Sequence, residues 1–259
     1  MSFKYIRRAA FVAGLLFASA TLDISAQPTP GQTASGSVAM FLPFVSPIFG
    51  DNMVLQRAKL DAIWGWSDPG DTVRVQFGTS TATGTAGPDR RWVVRIQPPA
   101  IGGPYALTIT GHQTVELHNV LVGDVWLCCG QSNMGLPLRF AKNADEEIKA
   151  ANHPEIRFFT VQGHPAYRHV DFIEGNWRVV SPENASSISA VGYYFVRKVQ
   201  QEVRIPIGLV IDSVGGTPAE AWTSAEALRP LRDFDVPLAE LDRLKADNAP
   251  EYGNYVTHW

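Results

Sequence analysis

The sequence predicts an α/β fold: a parallel sheet with helices on both faces, incomplete in this chain, preceded by a small antiparallel β-sandwich. Three observations predict it. Up to residue 118, short segments alternate apolar and polar residues and are punctuated by Gly and Pro. Beyond it, apolar runs alternate with helix-patterned segments, as parallel strands joined by helical crossovers require. The most apolar of those runs, 120–128, suits a strand covered on both faces.

In the first part, 61–66 runs into Ser67-Asp-Pro-Gly-Asp71, with Pro69 and Gly70 where a turn needs them. Segment 72–77 then places Val73, Val75 and Phe77 on one face. Segments 92–96 and 105–110 follow, separated by Pro98-Pro99 and Gly102-Gly-Pro104. In the second part, 143–151 reads as a helix capped by Asn143, with early carboxylates and a later lysine. Segment 155–161 is strand-like. Val191, Phe195, Val199 and Val203 predict a helix with one apolar stripe. Segment 207–211 is a short buried strand, and Asp235 with Pro237 opens a last helix carrying Leu238, Leu241 and Leu244 inward. Expected boundaries are therefore a sandwich over 41–118 and an α/β domain over 119–259.

The first residues predict the compartment. Lys4, Arg7 and Arg8 precede an apolar run, and small residues follow at 18–20 and 25–26. That order reads as a secretory signal peptide over 1–26, so a secreted or periplasmic protein with no membrane anchor after cleavage is expected. Residues 27–40 read as a flexible leader. A net charge of -3 and a pI near 6.1 offer no reason to expect nucleic acid or an anionic membrane. The two cysteines, Cys128 and Cys129, are adjacent and poorly placed for a disulfide; they read as small buried residues at a strand end.

Ligands of open parallel sheets sit at the carboxyl ends of the strands. Two turns fall there: Gly130-Gln-Ser-Asn-Met134 after the strand ending at Cys128, and Gly215-Gly216-Thr217 after the strand ending at Ile211. A serine just past a strand can expose its hydroxyl while backbone N–H groups face a developing oxyanion. Glycines permit the close backbone approach such a hole needs. A helix cap or turn is the commoner role of a serine in that position.

Four blocks, in order, are more specific. Phe49-Gly-Asp-Asn-Met-Val-Leu-Gln-Arg57, Trp64-Gly-Trp-Ser-Asp-Pro-Gly70, Asn119-Val-Leu-Val-Gly-Asp-Val-Trp-Leu-Cys-Cys-Gly-Gln-Ser-Asn-Met134 and Ile207-Gly-Leu-Val-Ile-Asp-Ser-Val-Gly-Gly-Thr-Pro-Ala-Glu-Ala-Trp-Thr-Ser224 together resemble the bacterial sialate O-acetylesterases, carbohydrate esterases of the SGNH (GDSL-like) superfamily. The resemblance covers about residues 42–228. It implies Ser132 as nucleophile and oxyanion N–H donor, and Gly216, or its neighbour Gly215, as a second donor. The implied reaction removes O-acetyl groups from a sugar through an acetyl-enzyme and needs no metal or cofactor. Gln131 and Asn133 either brace the turn or touch substrate. Glu220 and Trp222 match the Gly-Gly-Thr block, in structural or substrate-contacting roles.

The chain departs from the family pattern at Cys129, where serine or glycine is usual, and at Val214, where tryptophan is usual. The family's Gln-Gly-Glu-Ser-Asn-like block and its Asp-x-x-His-like block, carrying the general base, do not occur in it. His112, His118, His153, His164, His169 and His258 offer no convincing replacement, so no general base is assigned. A fragment of a longer esterase is expected. The alternative is a secreted, non-catalytic carbohydrate-binding or interaction module, with Trp64, Trp66 and Trp92 as candidates to stack on sugars, although their place in alternating strands favours the core. The oligomeric state and the particular sugar are not legible.

Overall fold

Alternation becomes pleat in the first half of the chain. The strands are β1 (Val54–Gln56), β2 (Asp61–Trp66), β3 (Thr72–Phe77), β4 (Ser80–Thr85), β5 (Arg91–Ile96), β6 (Gly102–Thr110) and β7 (Thr114–Gly130). In β3 and β5 every second residue is buried: Val73, Val75 and Phe77, then Trp92, Val94 and Ile96. β4, rich in Ser and Thr with little apolar patterning, is held by full antiparallel pairing with β3. β3 pairs with β6 and β6 with β7, while β2 and β5 form a separate two-stranded antiparallel sheet. The two sheets enclose one core in which Trp92 is fully buried and donates its indole N–H to Phe44 O at 2.8 Å. Trp66 is buried with it and Trp64 half-buried, so packing rather than display accounts for two of these three tryptophans.

This computed structural model describes residues 42–162, 166, 170 and 173–246. The expected signal peptide, the leader, and His164, His169 and His258 lie outside them. Among the described residues, no helix is long and apolar enough to cross a membrane.

The second half contains α1 (Ser132–Gly135), α2 (Ala144–Ala150), β8 (His153–Thr160), β9 (Trp177–Val180), α3 (Ala190–Val203), β10 (Ile207–Ser213), α4 (Ala225–Leu228) and α5 (Asp235–Ala246). β10 runs parallel to both β7 and β8, with Ile207 opposite Asp124 and Ile156, and β9 adds an antiparallel edge. Leu209, Ile211, Ile156 and Phe158 face Tyr193 and Val196 of α3, whereas Phe159 and Val210 turn into the first core. This is the SGNH-like α/β arrangement that the sequence predicts.

β7 ties the two regions together. Its 17 residues run through the change of character at 118, with Asn119 at φ +55°. The segment up to Val122 pairs with β6, Leu121–Gly123 with β1, and Asp124–Gly130 with β10. Gly123 sits at the exchange of partners, and a Cβ there would lie 1.9 Å from Pro206 O.

Four local expectations need correction. The end of β7 is not covered on both faces: Trp126 and Leu127 are 42% and 64% exposed. Cys128 is buried but Cys129 is exposed. Asn143 precedes α2 in a left-handed conformation, and its side chain makes no capping bond. The apolar stripe of α3 is largely outward, with Val191, Phe195 and Val203 exposed; the buried face is Ala190, Gly192, Tyr193 and Val196. Gly192 permits that contact, because it lets the helix approach Leu209 to within van der Waals reach and so buries Tyr193 and Val196. Leu238 of α5 is buried as expected, with Leu241 and Leu244 half-buried.

Candidate active site

Ser132 opens α1 two residues beyond Gly130, the last residue of β7. The chain leaves the strand through Gly130 at φ +148°, a backbone setting that side chains rarely adopt. Gln131 caps the short helix, its C=O accepting from Met134 N at 2.9 Å. The serine is exposed, as a nucleophile must be.

The second turn is fastened to the first. Val214 N donates to Gly130 O at 3.0 Å, extending the β7–β10 register through Ser213 opposite Gly130. Gly215 consequently lies against the serine: a Cβ on it would be 3.8 Å from Ser132 Cβ. Gly216 follows at φ +80° with open space around it. Behind the pair, Thr217 Oγ1 donates to Val214 O at 2.7 Å and receives the Trp222 indole N–H at 2.8 Å. Thr217 and Trp222 therefore brace the loop, and that is the structural role open to Trp222 in the sequence. Glu220 is half-buried on the same loop, in the turn Ala219–Trp222. Gly135 packs so closely on β10 that a Cβ would lie 2.6 Å from Ser213 Oγ.

Of the two roles open to Gln131, bracing is the one observed, and it acts on the serine itself. Gln131 Oε1 accepts from Ser132 N at 2.9 Å and from Ser132 Oγ at 2.5 Å. Both groups expected to do chemistry, the hydroxyl and the oxyanion N–H, are thus turned towards one amide oxygen. The Asn133 side chain is exposed and bonds to no described group.

Among the described residues no histidine reaches Ser132. His153 Nε2 lies 3.3 Å from Tyr193 Oη, and burial lowers the basicity of its ring. His112 Nδ1 lies 2.9 Å from Ser67 Oγ, whose hydroxyl donates to Asp71 at 2.5 Å. That trio contains Ser, His and Asp but cannot act as a relay: Ser67 is 2% exposed and its proton is committed to the carboxylate. One ionisable group near the site was passed over in the sequence. Asp212, opposite Cys129 near the carboxyl end of β10, is half-buried, and burial raises its carboxyl above the usual range. Its position at a strand end was the signal available. Burial also raises the Cys128 thiol, with the neighbouring Cys129 adding to it, so neither geometry nor charge favours a thiolate there. No group of three or more metal-ligating side chains gathers among the described residues.

The arrangement can present a serine hydroxyl beside backbone N–H groups at the carboxyl ends of two adjacent parallel strands, a layout suited to acyl transfer. No protein-family model matches the chain. Over 198 residues it is 35% identical to a sialate O-acetylesterase of Rattus norvegicus, covering 68% of this chain and 36% of that protein. Over 219 residues it is 34% identical to a sialate O-acetylesterase of Homo sapiens, covering 76% and 41%. The structure of a carbohydrate acetylesterase from Xanthomonas citri superposes with a TM-score of 0.68 at 36% identity, covering 71% of this chain and 43% of that one. The chain thus spans about two fifths of the length of these relatives.

Proposed function

Because the chain belongs to the sialate O-acetylesterase family of carbohydrate esterases, we propose that Ser132 is the nucleophile of an esterase acting on O-acetylated sugars, sialic acids or related acetylated carbohydrates. The observation that carries this reading is the contact of two turns: Gly215 against Ser132, held by Val214 N to Gly130 O. In the proposed reaction Ser132 Oγ adds to the acetyl carbonyl carbon, and the oxyanion is received by the N–H groups of Ser132 and Gly216. The sugar leaves as an alcohol with the serine proton, and water then releases acetate from the acetyl-serine. Gln131 holds the serine in the resting state. No residue of this chain is assigned as the general base. The charged and apolar order of residues 1–26 supports export to a secreted or periplasmic location.

A serine without a positioned base reacts slowly at neutral pH. The isolated 259-residue chain is therefore expected to turn over 4-nitrophenyl acetate barely above background, with little change in Ser132→Ala. Added imidazole supplies a diffusible base, so the peptide containing Ser132 is then expected to gain one acetyl group by mass, and Ser132→Ala to gain none. Equal labelling of both proteins would remove the nucleophile assignment and favour the non-catalytic module.

A further inference from the structure

A second recess opens away from Ser132, where β1 and β2 meet the first residues of the parallel strands. It holds about 400 Å3 and is lined by Phe49, Lys59, Asp61, Trp64, Trp177 and Val210. That volume falls within the range of small-molecule sites, roughly 300–1,000 Å3. Its walls are fixed. Trp177 donates its indole N–H to Ile48 O at 2.7 Å, and Phe49 stands edge-on to Trp64 with ring centroids 4.6 Å apart.

The unusual member is Asp61. It is 5% exposed, and its Oδ2 is buried without a hydrogen-bond partner among the described residues. Buried carboxylates are ordinarily paired, because desolvation of an isolated charge is costly. The guanidinium of Arg57 is engaged elsewhere, its Nε and Nη2 binding Asp124 at 2.7 and 3.0 Å. Gln56 is engaged as well, through Asp124 Oδ1 and Val125 N. Burial pushes the Asp61 carboxyl up to about 6, against the opposing pull of Lys59 and of the Gln56 backbone. An acceptor is left beside aromatic walls, with an exposed lysine at the rim.

We propose that this recess is a second sugar-binding subsite, taking one neutral sugar ring with a hydroxyl donated to Asp61 Oδ2 and ring C–H groups against Trp64. The charges select the ligand class. A carboxylate at the base rejects anions, and an ammonium at the rim disfavours cations. A hydroxyl satisfies both, donating to Asp61 and accepting from Lys59. The choice of a sugar among polyhydroxylated ligands rests on the carbohydrate-esterase reading.

The test uses the whole chain carrying Ser132→Ala, titrated with methyl glycosides that bear no acetyl group and followed by tryptophan fluorescence and saturation-transfer NMR. Saturable binding with a Kd of about 1–10 mM is expected, about tenfold weaker in Trp64→Ala. Ala62→Trp, which fills the rim without touching the core carboxyl, is expected to abolish it. Binding should also weaken as pH falls below about 6, where Asp61 gains a proton and its charged acceptor becomes a weaker, neutral one. Absence of saturation, undiminished binding in Ala62→Trp, or tighter binding of choline than of any glycoside would overturn the proposal. These probes carry no ester and the variant no nucleophile, so failure here leaves the esterase reading standing, and failure of acetyl transfer leaves the recess standing.

Discussion

The two ends of β7 are built to different standards. Up to Gly123 the strand is flanked by β6 and β1, and Val120, Leu121 and Val122 are buried. From Asp124 onward its only described strand partner is β10, and Trp126, Leu127 and Cys129 are exposed. One end is a scaffold whose stability comes from burial. The other positions a turn and leaves apolar surface uncovered, with Trp126 resting only edge-on against the equally exposed Phe195 at 5.0 Å. Long apolar edges of this kind attract other strands. A buried scaffold and an exposed end that leads to the Ser132 turn thus meet in one strand, at Gly123.

Substitutions should rank along that gradient. Trp92→Ala in the scaffold removes a fully buried indole and its hydrogen bond to Phe44 O, so a loss of about 3–5 kcal/mol is expected by denaturant unfolding. A loss below about 1 kcal/mol would break the contrast between the two ends. Gly123→Ala strikes the junction, where the new methyl meets Pro206 O; about 1–3 kcal/mol is expected, with weakened β7–β10 pairing visible as faster amide exchange at Asp124–Gly130.

Asp61→Asn sharpens the comparison by removing a buried carboxylate whose Oδ2 has no partner among the described residues. The folded carboxyl titrates near 6, above its ordinary value of 3.8, so the native state binds the extra proton between those values. The stability that Asp61 contributes should therefore be fully present below about pH 4 and be lost as pH rises through 6. The variant is expected to gain about 1–2 kcal/mol at pH 7.5 and to match wild type at pH 4, as read by calorimetry. Smallest is Leu127→Ser at the exposed end, expected within about 0.5 kcal/mol of wild type while raising solubility.

Much of the scaffold was legible because its signals are local. Val73, Val75 and Phe77 alternate, and Gly70 turns the chain, without help from distant residues. The helix α3 misleads for a physical reason. Its large apolar residues form the conspicuous stripe, but small ones, Ala190 and Gly192, permit the approach to β10, and burial follows the approach. At the site, Ser132 was visible from its strand-end position and its surrounding blocks. Its pairing with Gly215 was not, since Val214 N to Gly130 O joins residues far apart in sequence. Nor was the hold of Gln131 on Ser132, which depends on a side-chain rotamer. Asp61 looked like an ordinary strand residue until the fold removed its solvent.

The continuity of β7 also bears on how the molecule can be divided. A cut at 118, where composition changes, would sever a strand and part β1, Gly102 and Tyr105 from the β7 residues with which they pair. The Arg57–Asp124 ion pair would be split between the same two products. Expression clones and chimeras that carry the Ser132 turn should accordingly begin no later than the segment before β1, with the antiparallel sheets retained as the splint that sets the strand's direction.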